Sequence, residues 1–85
     1  MLSMLKVDLG ITTYQYDERL QQIINSAKSM IEREGVTFED ELTAEDMQLI
    51  VMYAAWLWRR RDTHEGMPRM IRWALNNRIF GEKMK

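Results

Sequence analysis

The sequence predicts an all-α protein: a small bundle of three long helices, at about 14–34, 44–62 and 68–80, behind a short N-terminal helix at about 2–9. Three observations carry this. Apolar residues recur at helical rather than alternating spacing along the chain. The glycines and the single proline fall where the periodic stretches stop. The composition, 46% hydrophobic and 29% charged, is that of a globular protein rather than a disordered one. Eighty-five residues make one domain, and at this size about 64% of the unfolded chain's surface is buried, enough for one small core.

Each element has its own warrant. In the first, Leu2, Leu5 and Leu9 lie at i, i+3 and i+7, Ser3 is a candidate cap, and Gly10 stands where a helix-ending glycine belongs. In the second, from about Tyr14 to Glu34, residues Tyr16, Leu20, Ile23, Ile24, Ala27, Met30 and Ile31 form one apolar stripe, with Thr12 or Thr13 offering an N-cap oxygen and Gly35 closing the helix. Residues 36–42 read as an acidic loop with apolar anchors. Thr43 and Asp46 approximate a capping box, with Glu45 also well placed at the positive end of the dipole, so a third helix starts at Ala44 and runs to about Asp62. Gly66-Met67-Pro68 interrupts the pattern, and Pro68 suits the first turn of a fourth helix ending at Phe80, before Gly81.

The third helix carries the sharpest expectation. From Leu49 to Trp58 every residue is apolar, and Arg59-Arg60-Arg61 follows at once. Ten residues are about half of what a membrane crossing needs, so this is no span. A helix apolar all round must be covered all round. Either the three other helices wrap it, or one side faces another subunit; Trp56, Trp58 and Trp73, together with eight methionines, favour the second.

Charge is divided along the chain. Residues 1–50 hold ten acids and four bases, and residues 51–85 hold eight bases and three acids, so the halves stand at −6 and +5. Such a chain can attract copies of itself head to tail, place its basic end beside nucleic acid, or merely carry helix surfaces of different sign. On the fourth helix Arg69, Arg72 and Asn76 share a face that is able to track phosphates; arginines near helix ends also serve the dipole or pair with acidic neighbours.

Catalytic and metal chemistry find little footing. There is no cysteine, hence no disulfide, thiolate zinc site or cysteine nucleophile. His64 is the only histidine and reads as a solvated turn residue. The clusters Glu39-Asp40-Glu41 and Glu45-Asp46 lack the spacing and glycine of a calcium loop and read as loop and cap residues. No nucleophile motif or phosphate-binding glycine loop is present. The expectation is a protein that is not an enzyme and uses no metal or cofactor. The opening residues lack a basic stretch followed by a long apolar run, so secretion is not expected.

Four stretches together suggest a family. Leu5-Lys6-Val7-Asp8-Leu9-Gly10-Ile11 is a short helix closed by a leucine–glycine–isoleucine turn. Tyr16-Asp17-Glu18-Arg19-Leu20 is an acidic helix start before the stripe of Ile23, Ile24, Ala27 and Ile31. The apolar third helix ends in Trp58-Arg59-Arg60-Arg61-Asp62, and the segment from Met67 to Arg78 closes the pattern. Over almost its whole length the chain resembles the small head–tail connector (adaptor) proteins of tailed bacteriophages and prophages. Four residues follow Gly81 here, where some members of that family dock onto the portal through a longer extension.

The resemblance implies a subunit that forms a ring, twelve-fold in the assembled virion, beneath the portal. The ring extends the DNA channel and presents a platform for the next neck or head-completion protein. DNA passes through without being read, no membrane is involved, and the protein is found in the virion neck after assembly in the host cytoplasm. Ring contacts are heterologous, so two different surfaces must meet. The expected pair is an acidic side (Glu39, Asp40, Glu41, Glu45) against a basic side (Arg59, Arg60, Arg69, Arg72) of the next subunit, with Trp56 and Trp58 in the contact. Portal docking is expected at Trp73, Ile79 and Phe80. The alternative is a small helix-turn-helix DNA-binding or DNA-packaging protein that lays its third and fourth helices on a duplex.

Overall fold

The computed structural model describes residues 1–60 and 66–83, and within them the protein is all-helical. Four helices follow one another: α1 (Leu2–Leu9), α2 (Asp17–Arg33), α3 (Ala44–Arg60) and α4 (Arg69–Lys83). The molecule is a slab of 41 × 30 × 18 Å, about two helix diameters thick. α1 and α2 pack against each other and against α3, whereas α4 packs chiefly on α3.

α1 starts directly at Leu2, with Met1 rather than Ser3 as its N-cap, because the Leu5 N–H already reaches the Met1 carbonyl at 3.0 Å. Its end matches the expected glycine stop. Gly10 is left-handed (φ 72°), its N–H donates to the Val7 carbonyl at 3.2 Å, and the Ile11 N–H donates to the Lys6 carbonyl at 2.9 Å. This 6→1 and 5→2 pair is the Schellman arrangement.

α2 begins later than its periodicity suggests. Residues 14–16 form a turn, Tyr16 is the N-cap, and neither Thr12 nor Thr13 caps the helix. The start is set from outside: Lys6 of α1 pairs with Asp17 at 2.8 Å and lies 4.9 Å over the Tyr14 ring. Leu20, Ile24, Ala27 and Ile31 are buried and Ile23 and Met30 half-buried, as the stripe requires. Gly35 closes the helix with φ 114°.

Thr43 caps α3 as expected, its Oγ1 accepting the Asp46 N–H at 3.1 Å. The expected end of α3 at Asp62 and the turn containing His64 lie outside the described residues. α4 starts one residue past Pro68, whose carbonyl accepts the Arg72 N–H at 3.1 Å. It runs through Gly81 to Lys83 instead of stopping at Phe80. Glycine only weakens a helix by about 1 kcal/mol relative to alanine, and without a left-handed φ it need not end one.

The apolar run of α3 is the centre of the core. Leu49, Ile50, Val51, Tyr53, Ala54, Ala55 and Trp56 are buried, and Met52, Leu57 and Trp58 are half-buried against the same cluster. Leu5 of α1, the α2 stripe, Val36, and Ile71 and Leu75 of α4 complete it. Of the two ways to cover a helix apolar all round, this chain largely wraps it with its own helices.

Candidate interaction surface

With α3 wrapped, the exposed apolar surface lies elsewhere. α4 buries Ile71 and Leu75 against α3, and Ala74 and Ile79 are half-buried against the same core. Successive residues turn by about 100°, so Met70, Trp73 and Phe80 fall within about 80° of one another on the opposite side. They are 71%, 68% and 65% exposed. Three large apolar side chains left in water along one helix face make it the candidate contact surface.

Trp73 also borders a groove of about 740 Å³ between α4 and the first half of α3. Leu49, Met52 and Ala74 supply its apolar lining, and Glu39, Glu41 and Glu45 line it from the loop and the start of α3. These three carboxylates are exposed and have no partner among the described residues. Asp46 and Arg78 also line the groove, but they neutralise each other at 2.9 Å.

The expected docking and contact residues divide accordingly. Trp73 and Phe80 stand in solvent, whereas Ile79 is half-buried against the core. Trp56 is buried, with its ring edge-to-face against Tyr53 at 5.5 Å and the Arg60 guanidinium 4.7 Å over it. Its indole N–H has no hydrogen-bond partner among the described residues. Trp58 is half-buried, edge-to-face with Tyr16 at 5.6 Å.

Much of the charge division is met within one chain. Arg59 of the basic half approaches the Asp8 carboxylate at 3.6 Å and the Asp8 carbonyl at 3.4 Å. Arg72 pairs with Glu34 at 3.0 Å. Arg78 pairs with Asp46 and donates to the Thr37 carbonyl at 3.0 Å. Of the expected basic side, Arg59 and Arg72 therefore have acidic partners in their own subunit and Arg60 has an aromatic one. Arg69 is exposed with no ion pair among the described residues, as are Glu39, Asp40, Glu41 and Glu45 of the acidic side.

Sequence reading missed the Asp46–Arg78 pair. The sequence places Asp46 among loop and cap residues, yet it is buried. The available signal was that Asp46 precedes Leu49 and Ile50 by three and four residues and Arg78 follows Leu75 by three, so each stands beside its helix's buried stripe. It missed Met70 and the groove as well, because both depend on how α4 is rotated on α3.

Burial pushes the Tyr53 phenol above its ordinary range, helped by the Glu34 carboxylate and opposed by Arg60 and Arg72. Among the described residues no group of acids or histidines is placed to hold a metal ion, and no helix is long and apolar enough to cross a membrane. Comparison with family models, curated proteins and solved structures returns no match.

Proposed function

We propose that the chain is a head–tail connector subunit of a tailed phage or prophage, a structural protein rather than an enzyme. Copies assemble into a ring between portal and tail, twelve-fold in the virion, that extends the DNA channel. The observation that supports this best is the exposed row Met70, Trp73 and Phe80, whose Trp73 borders a groove rimmed by Glu39, Glu41 and Glu45: a surface suited to holding proteins rather than to chemistry. In this reading α4 docks onto the portal or the next neck protein. Contacts between neighbouring subunits draw on the charges without an ion pair among the described residues, Glu39, Asp40, Glu41 and Glu45 on one side and Arg69 on the other. The protein resides in the virion neck after assembly in the host cytoplasm.

The helix-turn-helix alternative uses the same helix less well. It needs Arg69, Arg72 and Asn76 on phosphates, but Arg72 already holds Glu34, and Met70, Trp73 and Phe80 stand exposed among them on α4.

Light scattering of the protein, alone, with duplex DNA at two salt concentrations, and with a portal, tests the reading. A ring, or a monomer indifferent to DNA that assembles on the portal, supports it. A compact dimer that binds duplex DNA and releases it as salt rises overturns it.

A further inference from the structure

We propose that the groove between α3 and α4 is the seat of a cationic amphipathic helix supplied by a partner protein. This rests on the connector reading only in that the helix then belongs to the portal or a neck protein; the groove's own chemistry stands without it.

Three features point to that occupant. The groove joins an apolar lining (Leu49, Met52, Ala74) to the exposed Trp73, which is what the apolar face of an incoming helix covers. Glu39, Glu41 and Glu45 add three negative charges with no partner among the described residues, while the groove's arginine is already taken by Asp46. An apolar lining with a negative rim selects a helix apolar on one side and basic beside it, and it repels nucleic acid. Gly81 is the third feature. It lies within α4 on the groove wall, where a Cβ meets nothing within 4 Å and no left-handed φ calls for glycine. A glycine that weakens the helix with no packing contact among the described residues leaves room for a side chain from outside.

A second copy of the chain fits less well. Near its exposed α4 face Arg69 is the one cation without an ion pair among the described residues. The exposed bases of α2, Arg19 and Arg33, sit on a helix whose apolar stripe is largely used inside. No described segment offers both a large exposed apolar row and several free cations.

The test uses a synthetic Leu/Lys amphipathic helix of roughly 18 residues, five turns, and a Leu/Glu peptide of the same length and apolar pattern. Binding to the full chain is followed by Trp fluorescence and by backbone amide shifts. The Leu/Lys peptide is expected to bind, more weakly as salt rises, and to shift Met52, Ala74, Asn77 and Gly81. The triple change Glu39→Gln, Glu41→Gln, Glu45→Gln is expected to weaken binding about tenfold or more. Gly81→Leu, which has room and keeps a good helix former, is expected to block the groove without unfolding the protein.

Shifts centred on the acidic start of α2 around Glu18, equal binding of both peptides, or binding unmoved by Gly81→Leu each overturn the proposal. So does a concentration-dependent dimer with the same amide shifts, which makes a second copy the occupant. A protein that binds the peptide at the groove but never forms a ring or meets a portal retains this inference and loses the connector reading. A ring-former that ignores the peptide does the reverse.

Discussion

Asp46 in the first turn of α3 and Arg78 in α4 meet at 2.9 Å across 32 residues of chain, both side chains mostly removed from water. The Asp46 backbone N–H is held by the Thr43 hydroxyl, and Arg78 also donates to the Thr37 carbonyl. One pair thus joins the loop, the start of α3 and the packing of α4 beneath the groove. Asp46→Ala or Arg78→Met leaves the other charge poorly solvated and is expected to cost about 1–3 kcal/mol each. The double variant Asp46→Ala with Arg78→Met should lose clearly less than the sum. Urea unfolding of the four proteins measures the coupling, and strict additivity would show that the two residues act independently.

Ile50 and Trp73 invert the usual importance of residue size. Ile50 is fully buried at the centre of α3, so Ile50→Ala is expected to destabilise by about 2–5 kcal/mol. Trp73→Ser removes a far larger side chain, yet should leave stability within about 0.5 kcal/mol because most of the ring is already in water. Its effect should appear in association instead. A large drop in melting temperature for Trp73→Ser would mean that the α4 row is internal packing.

Two glycines should respond to alanine with opposite signs. Gly35 holds φ 114°, a conformation strained for any side chain, so Gly35→Ala is expected to lose about 1 kcal/mol or more. At Gly81 the backbone is helical and the space open, so Gly81→Ala is expected to gain about 0.5–1 kcal/mol. Thermal melts of both variants read this directly. A loss at Gly81 would show that the end of α4 frays or packs differently.

Tyr53 predicts an alkaline limb in stability. Its native pKa is raised, first by burial and then by Glu34, whereas the unfolded phenol titrates near 10. The folded state therefore favours the protonated form. The stability this confers is fully present below about pH 10 and is lost as pH rises through the native value. Tyr53→Phe should flatten that limb and remove the last phase of an absorbance titration at alkaline pH. An unchanged stability profile above pH 10 would contradict it.

Much of the fold was legible because its signals are local. The stripe from Leu20 to Ile31, the glycine stops at Gly10 and Gly35 and the Thr43 cap depend on neighbours within one or two turns, and periodicity and dihedral preference report such neighbours well. The boundaries that slipped had distant causes. Lys6 of α1 pins the start of α2 at Asp17, and α4 continues through Gly81 because nothing requires that residue to leave the helical region.

The sequence by itself determined an all-helical chain with one strongly apolar helix, charge divided between its halves, and no residue pattern for metal or nucleophilic chemistry. Only the tertiary structure decided where those properties end up. It wrapped α3 inside the chain and matched Arg59, Arg72 and Arg78 with Asp8, Glu34 and Asp46. It left Met70, Trp73 and Phe80 exposed on α4 and set Trp73 and three glutamates around an open groove. The physical reason is that a helix's periodicity states which residues share a face but not which face turns inward. That choice belongs to the packing of α4 on α3, which sets both its buried row and the row left exposed.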